Sequence, residues 1–224
     1  MTFKKFTYRP GAFLGIFAQA TQAGPAWASE RSMFVSAPEA LSREHALLTR
    51  LLIAVDNVVN NAVEDRNMDL TPINNASNVI RRVVADHHMA FEEQNIYPRM
   101  EQIDYLSSMI ETMEGQHDDA RVINKMVLDM TRGGKIRGKT EMDELVLLTK
   151  SFKDMITAHA AWEETIIFPA MYDLLPERDM SDINKKFMGS GRKLLGGEGP
   201  VKLYRTLDDI EKAAGTHDLS SFTF

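Results

Sequence analysis

The chain has 224 residues, of which 44% are hydrophobic and 26% charged, an ordinary composition for a globular protein. Its net charge of -6 argues against nucleic acid or anionic lipid as a main partner, because phosphate binding needs a basic surface. There is no cysteine, which excludes disulfides, thiolate metal sites, iron–sulfur clusters and cysteine nucleophiles. Any bound metal must therefore be held by His and carboxylate groups, and no segment is predicted to span a membrane.

Residues 1–35 are predicted to form an N-terminal arm or a weak signal peptide. A basic start is followed by a short apolar run over 12–18 and by Ala26-Trp27-Ala28, which has the small-x-small form of a signal-peptidase site. Two alternatives stay open. A cleaved signal would place the protein in the periplasm, and an arm lying across the domain would leave it in the cytoplasm.

Two amphipathic helices are predicted in the next part of the chain. The first begins at a capping box formed by Ser36 and Glu39 and is expected to end near Asp65. The second opens at Thr71-Pro72 and is expected to end near Pro98. In both, apolar residues recur at intervals of three and four, which is typical of a helix with one buried face.

Two further helices complete the predicted domain. The third runs from about Tyr105 to Met130 and is stopped by Gly133-Gly134, and Thr140 is expected to cap the fourth. No strand pattern is visible. Four long helices with short connections predict an all-α, antiparallel up-down-up-down four-helix bundle over 36–175.

Residues 176–224 are predicted to be a C-terminal helical extension. A fifth helix is expected over Asp179–Leu195 and a sixth over Pro200–Ala214, closed by Gly215. The composition favours a packed extension over a second catalytic domain.

One motif occurs twice in the chain. His88-Met-Ala-Phe-Glu92-Glu-Gln-Asn-Ile-Tyr-Pro98 is matched by His159-Ala-Ala-Trp-Glu163-Glu-Thr-Ile-Ile-Phe-Pro169. In each copy the His and the first Glu lie four residues apart, so both side chains leave the same face of a helix. An imidazole and a carboxylate buried among apolar residues are costly unless both are paired, for example by a cation.

Two single histidines extend this repeat to a full ligand set. His117 follows His45 by 72 residues and His159 follows His88 by 71, which indicates two similar helical hairpins. The predicted metal ligands are His45, His88, Glu92, His117, His159 and Glu163. These are too many for one tetrahedral zinc but suit two metals bridged by both Glu, with a shared oxo or hydroxo ligand and an open position. The donors favour two iron ions, with manganese or zinc as alternatives.

Neighbouring residues are predicted to support the ligands without binding the metals. The candidates are His87, Glu44, Glu93, Arg121, Trp162 and Glu164, together with Gln116. Phe91 and Trp162 occupy matching places in the two motifs and are expected to wall the site, with plain core packing as the alternative.

These residues resemble the hemerythrin family, and specifically its bacterial HHE cation-binding members, over about residues 38–172. The resemblance is carried by Arg43-Glu44-His45, by the two repeated motifs and by Gln116-His117-Asp118, and the end of the chain looks like that of a family subgroup. It implies a di-iron centre in a four-helix bundle that binds oxygen reversibly or is oxidised by it. Classical oxygen carriers have a fifth His, but Met113 and Arg121 stand four residues before and after His117 here. Their second carboxylate is an Asp five residues after its His, whereas Glu163 follows at four.

The leading functional hypothesis is a di-iron protein that binds or senses oxygen or handles iron, with dioxygen, another small diatomic or peroxide as its partner. A second hypothesis is a di-iron enzyme, a peroxidase or oxidase, or one that acts on nitric oxide. The third is a metal-free structural or interaction bundle. No nucleotide loop, organic-substrate pocket or protein-partner surface is recognisable in the sequence.

Overall fold

The computed structural model describes residues 35–65, 67–136, 138–195 and 199–223, without the side chains of 192–195 and 199–201. The predicted N-terminal arm or signal, except for its last residue, lies outside the described residues. Within the described part, the chain forms six helices and no strand, which confirms the all-α class.

Helix α1 spans Ala37–Glu64 and begins as predicted: Ser36 Oγ accepts a hydrogen bond from the Glu39 amide, and Pro38 lies in the first turn. By length and composition α1 could cross a membrane, but half of its most apolar stretch is buried inside the protein. A core helix passes the same test, so we describe α1 as part of the packed domain.

Helix α2 spans Thr71–Met100, and its helical turns change in width along its length. It is α-helical over Thr71–Val79, π-helical over Ile80–Met89 and Glu92–Ile96, and α-helical again over Tyr97–Met100. Helix α4 repeats this change at the same place in its motif, with an α-helical segment Lys139–Trp162, a π-helical segment Glu163–Ile167 and an α-helical end, Phe168–Leu174. Wide π turns inside longer helices occur often at functional sites, and here the segments Glu92–Ile96 and Glu163–Ile167 each begin at the Glu of the repeated motif.

Helix α3 spans Asp104–Thr131 and is followed by the predicted glycine stop. Gly134 has a φ of 67°, which a non-glycine residue rarely adopts, and its carbonyl accepts a hydrogen bond from the Leu70 amide. The prediction that Thr140 caps α4 was wrong. The position before the helix is Gly138, no side chain caps the end, and Thr140 lies inside the first turn.

Helices α5 (Glu177–Leu195) and α6 (Gly199–Ala214) follow α4, and a short 3-10 turn comes after them at Leu219–Phe222. Helix α6 packs on α1: Arg50 donates two hydrogen bonds of 2.7 Å to the Glu211 carboxylate, and Asn57 donates to the Ala214 carbonyl. Gly215 has a φ of 74°, as a glycine that ends a helix does.

Buried apolar residues form two clusters, and the predicted ligands lie between them. Along α1, the chain passes from the first cluster, which contains Leu41, to the second, which contains Leu48. Along α3 it also passes from the first cluster, at Met113, to the second, at Ala120. Along α2 and α4 it passes from the second cluster to the first. Each helix therefore carries its predicted ligands at the boundary between the same two apolar clusters.

Candidate metal centre

Six buried His and Glu side chains meet inside the protein. They form two overlapping groups of four, and in each group the donor atoms lie within 4.8 Å of one another. One group contains His45 and His88, the other contains His117 and His159, and both contain Glu92 and Glu163. The structure thus brings together all six residues predicted as ligands.

The Nε2 atoms of the four imidazoles point at the two shared carboxylates. In the first group, the Nε2 atom of His88 lies 3.2 Å from Glu92 Oε1 and that of His45 lies 3.2 Å from Glu163 Oε2. In the second group, the Nε2 atom of His117 lies 3.6 Å from Glu92 Oε2 and that of His159 lies 3.3 Å from Glu163 Oε2. Each Glu therefore faces one imidazole of each group.

The Nδ1 atoms of the same imidazoles point outward, and each contacts a supporting side chain. His45 Nδ1 lies 2.8 Å from Glu164 and His117 Nδ1 lies 2.9 Å from Glu93. His88 Nδ1 lies 2.9 Å from Glu44, the residue before His45. His159 Nδ1 lies 2.9 Å from Gln116, the residue before His117. Such outer partners fix the tautomer and the orientation of a metal-binding His and leave Nε2 as the donor toward the metal.

The buried charges shift several pKa values in the metal-free protein. Burial alone would lower the pKa of His88, but the carboxylates of Glu92 and Glu44 outweigh it and hold this pKa well above its usual value. Burial would raise the pKa of Glu163, yet His159 and His45 hold it well below the usual value. Against the same effect of burial, the neighbouring imidazoles of His87 and His88 lower the pKa of Glu44 to about 2.

Three carboxylate oxygens at the centre indicate whether the residues present fit a cation. Both oxygens of Glu92 and the Oε2 atom of Glu163 are buried without a hydrogen-bond donor. The Nε2 atoms of His117 and His159 lie 3.0 Å apart, a distance at which two lone pairs would repel unless one nitrogen is protonated. Buried acceptors that converge without donors are the arrangement that a bound cation satisfies, so the residues fit a metal site.

Tyr97 also belongs to the centre, although the sequence reasoning missed it. Its side chain is fully buried, its hydroxyl donates a 2.6 Å hydrogen bond to Glu163 Oε1, and its ring stacks on His117. Burial and the nearby carboxylates of Glu92 and Glu163 raise its pKa well above the usual value, so the phenol keeps its proton. The signal was present in the repeat, because the aromatic residue before the motif's Pro is Tyr97 in one copy and Phe168 in the other.

Several residues predicted to support the ligands do contact them or their partners. Glu44, Glu93 and Glu164 contact imidazoles, and Arg121 donates hydrogen bonds of 2.7 and 2.9 Å to the two oxygens of Glu93. His87 lies one step farther out, with Nε2 at 3.1 Å from Ser190 Oγ of α5 and Nδ1 at 3.8 Å from Glu44.

The prediction that Trp162 walls the site was wrong, because its side chain is 51% exposed. Its counterpart Phe91 is buried, since Phe187 of α5 packs edge-to-face against it at 5.0 Å. The position before each motif Glu points away from the centre, and it is buried only where another helix covers it.

Comparison with known proteins agrees with this geometry. The hemerythrin HHE cation-binding domain model matches residues 36–171. The chain is also 30% identical over 194 residues to uncharacterized proteins of Mycobacterium tuberculosis, strains H37Rv and CDC 1551, and of Mycobacterium bovis. Each alignment covers 87% of this chain and 76% of the relative. No solved structure matches the chain significantly. The family match covers more than half of the chain and includes all six converging side chains, and the protein therefore belongs to the hemerythrin HHE cation-binding family.

Proposed function

We propose that this protein is a non-haem di-iron protein that binds or senses oxygen, or handles iron, through a centre ligated by His45, His88, Glu92, His117, His159 and Glu163. The observation that carries the proposal is the pair of overlapping four-residue groups that share Glu92 and Glu163. One metal position would be held by His45 and His88, the other by His117 and His159. Both glutamates would bridge the two positions.

The proposed architecture is an antiparallel up-down-up-down bundle of α1 to α4. It is supported by the order in which the helices meet the two apolar clusters, which is the same on α1 and α3 and reversed on α2 and α4. In such a bundle, ligands halfway along each helix arrive at one level, where side chains on facing helices build metal sites.

Iron is the proposed metal because imidazole and carboxylate donors suit it and the chain offers no thiolate. Manganese and zinc accept the same donor types. When bound, a pair of iron ions would supply reversible electron transfer to oxygen or a related small molecule. The four imidazoles and two carboxylates would hold the ions, and such a ligand would bind beside them.

The protein's own residues orient the donors and cover both ends of the site. Glu44, Glu93, Glu164 and Gln116 hold the four Nδ1 atoms, so the Nε2 atoms stay directed inward. Tyr97 holds Oε1 of Glu163 through its hydroxyl proton, which leaves Oε2 facing His45 and His159. The two apolar clusters exclude water from both ends of the site.

Anaerobic spectroscopy tests the proposal. The metal-free protein is loaded with ferrous iron without air, its iron content is measured, and air is then admitted. We expect the colourless ferrous protein to develop near-ultraviolet absorption as the iron is oxidised. Protein that holds two irons and shows an unchanged spectrum would contradict the oxygen-related function.

A di-iron enzyme acting on peroxide, oxygen or nitric oxide is the second candidate. It is favoured by the absence of a fifth His on either side of His117, where Arg121 instead contacts Glu93. Steady turnover of peroxide or nitric oxide, lost in His117→Ala protein, would promote this candidate over oxygen binding. The metal-free bundle is the weakest alternative, because it leaves the buried oxygens of Glu92 and Glu163 without partners.

A further inference from the structure

A cleft between α1 and α4 reaches the candidate metal centre from the surface. Its volume is about 300 Å³, at the lower end for small-molecule sites, and its lining includes the predicted ligand His45 and the outer carboxylate Glu164. Leu48 and Ile156 form a buried floor. The exposed residues of the rim are small: Ala46, Thr49, Thr157 and Ala161.

The equivalent place in the other half of the site carries larger side chains. Applying the internal repeat, Thr49 corresponds to Arg121, which pairs with both oxygens of Glu93. Ala160 on the wall of the cleft corresponds to Met89, which is fully buried. The outer carboxylate of one half is therefore covered by a guanidinium, whereas Glu164 lies next to a cleft.

The four imidazoles differ in how far they are exposed to solvent, and the one that lines the cleft is the most exposed. His45 is 9% exposed, whereas His88, His117 and His159 are at most 3% exposed. Glu164 accepts hydrogen bonds from Ser42 and His45, and its side chain remains 37% exposed. Of the four imidazoles predicted as metal ligands, His45 is thus the most exposed to solvent.

We infer that small ligands enter and leave the metal centre through this α1/α4 cleft, passing beside His45. The inference rests on the proposed di-metal function. The short side chains of Thr49, Ala160 and Ala161 set the width of the route, and the 9% exposure of His45 restricts passage beyond it to diatomic molecules, peroxide and small anions. Bulky organic molecules stop at Glu164.

Azide binding to the ferric protein tests the route, because azide is a small anion whose coordination to ferric iron produces a charge-transfer absorption. The key variant is Thr49→Phe, which fills the rim with an uncharged side chain. An obstacle in a route slows entry and exit alike. We therefore expect the association and dissociation rate constants of azide to fall together, on the order of tenfold, while its Kd stays unchanged.

A second variant and a control complete the design. Ala161→Phe narrows the cleft from the α4 side and should slow azide in the same way, which covers the case in which Thr49→Phe protein does not fold. Asn60→Phe adds the same bulk at an exposed position of α1 outside the cleft and should bind azide at the wild-type rate.

The results distinguish a failure of the proposed entry route from a failure of the proposed di-metal function. If folded Thr49→Phe or Ala161→Phe protein with full iron content binds azide at the wild-type rate, the route is overturned and the di-iron proposal stands. A wild-type chain that takes up no metal would overturn the proposed function and the route with it.

Discussion

The two halves of the candidate metal centre have the same types of inner donor but differ in the residues that surround these donors. The His45/His88 half and the His117/His159 half each direct two Nε2 atoms at the same pair of glutamates. Around them, Glu44 in the first half corresponds to Gln116 in the second, and Phe168, stacked on His45, corresponds to Tyr97, stacked on His117.

These differences give the two proposed metal positions unequal charge. The first position is backed by two carboxylates, Glu44 and Glu164. The second is backed by the neutral amide of Gln116 and by Glu93, whose charge is balanced by Arg121. The symmetry of the inner donors is what the proposed metal binding requires, and the asymmetry outside predicts that two bound metals would be held with different strength.

The largest effect is expected from Glu163→Gln, because this carboxylate belongs to both halves. An amide is a poor bridge between two cations, so metal content should fall from two per chain to one or none. Elemental analysis of the purified protein measures this. The control is Glu111→Gln at an exposed position of α3, which should keep full metal content. Full occupancy in Glu163→Gln protein would remove the shared-carboxylate arrangement.

In the metal-free protein, the free energy of unfolding in acid should depend on Glu44, which belongs to the His45/His88 half. The pKa of Glu44 is about 2 in the folded protein against an ordinary 4.5, so its contribution is fully present above about pH 4.5 and is lost as the pH falls through about 2. That contribution is on the order of 3 kcal/mol. Urea unfolding at a series of pH values should therefore show a stability difference between wild-type and Glu44→Gln protein that shrinks with acid. A difference that is constant across this pH range would contradict the pairing of Glu44 with His88.

Metal affinity should be unequal at the two positions, and Glu44→Gln should make them more alike. Loss of an outer carboxylate typically lowers metal affinity by roughly 10–100-fold. Metal titration of the wild-type protein should show a tighter and a weaker step, and Glu44→Gln should weaken the tighter one. The matched reverse change, Gln116→Glu, should strengthen the weaker step. Two equal steps in the wild-type protein would show that the outer charges do not act on the metals.

A smaller effect is expected from exchanging the stacked aromatic residues. Tyr97→Phe removes a buried hydrogen bond to Glu163 and should lower the free energy of unfolding of the metal-free protein by ~1–3 kcal/mol. Phe168→Tyr places a hydroxyl in the other half, where the unmodified chain has none. Chemical denaturation of both variants measures the change. Unaltered stability of Tyr97→Phe protein would mean that the hydroxyl does not hold Glu163.

The inner donors could be predicted from the sequence, whereas their surroundings could be predicted only in part. The spacing of four within each motif and the repeat of 71 and 72 residues identify the side chains that share helix faces, since both follow from helical geometry. Tyr97 was missed because it lies five positions after Glu92 in the chain, and only the π-helical segment Glu92–Ile96 and the tertiary arrangement of α2 and α4 bring its hydroxyl to Glu163.

Trp162 was placed wrongly for a related reason. Its motif position equals that of Phe91, but burial at this position depends on whether α5 covers it, and the repeat itself carries no information about α5. The cleft beside Thr49 likewise depends on which side chains α1 and α4 place opposite each other. Local periodicity thus predicts which face a residue occupies, and tertiary packing decides what that face meets.

The most direct test of the di-metal centre is an anaerobic titration of the metal-free protein with ferrous iron, followed by measurement of bound iron per chain. We expect saturation at two irons per chain. Saturation at one, or no uptake at all, would contradict the di-metal centre.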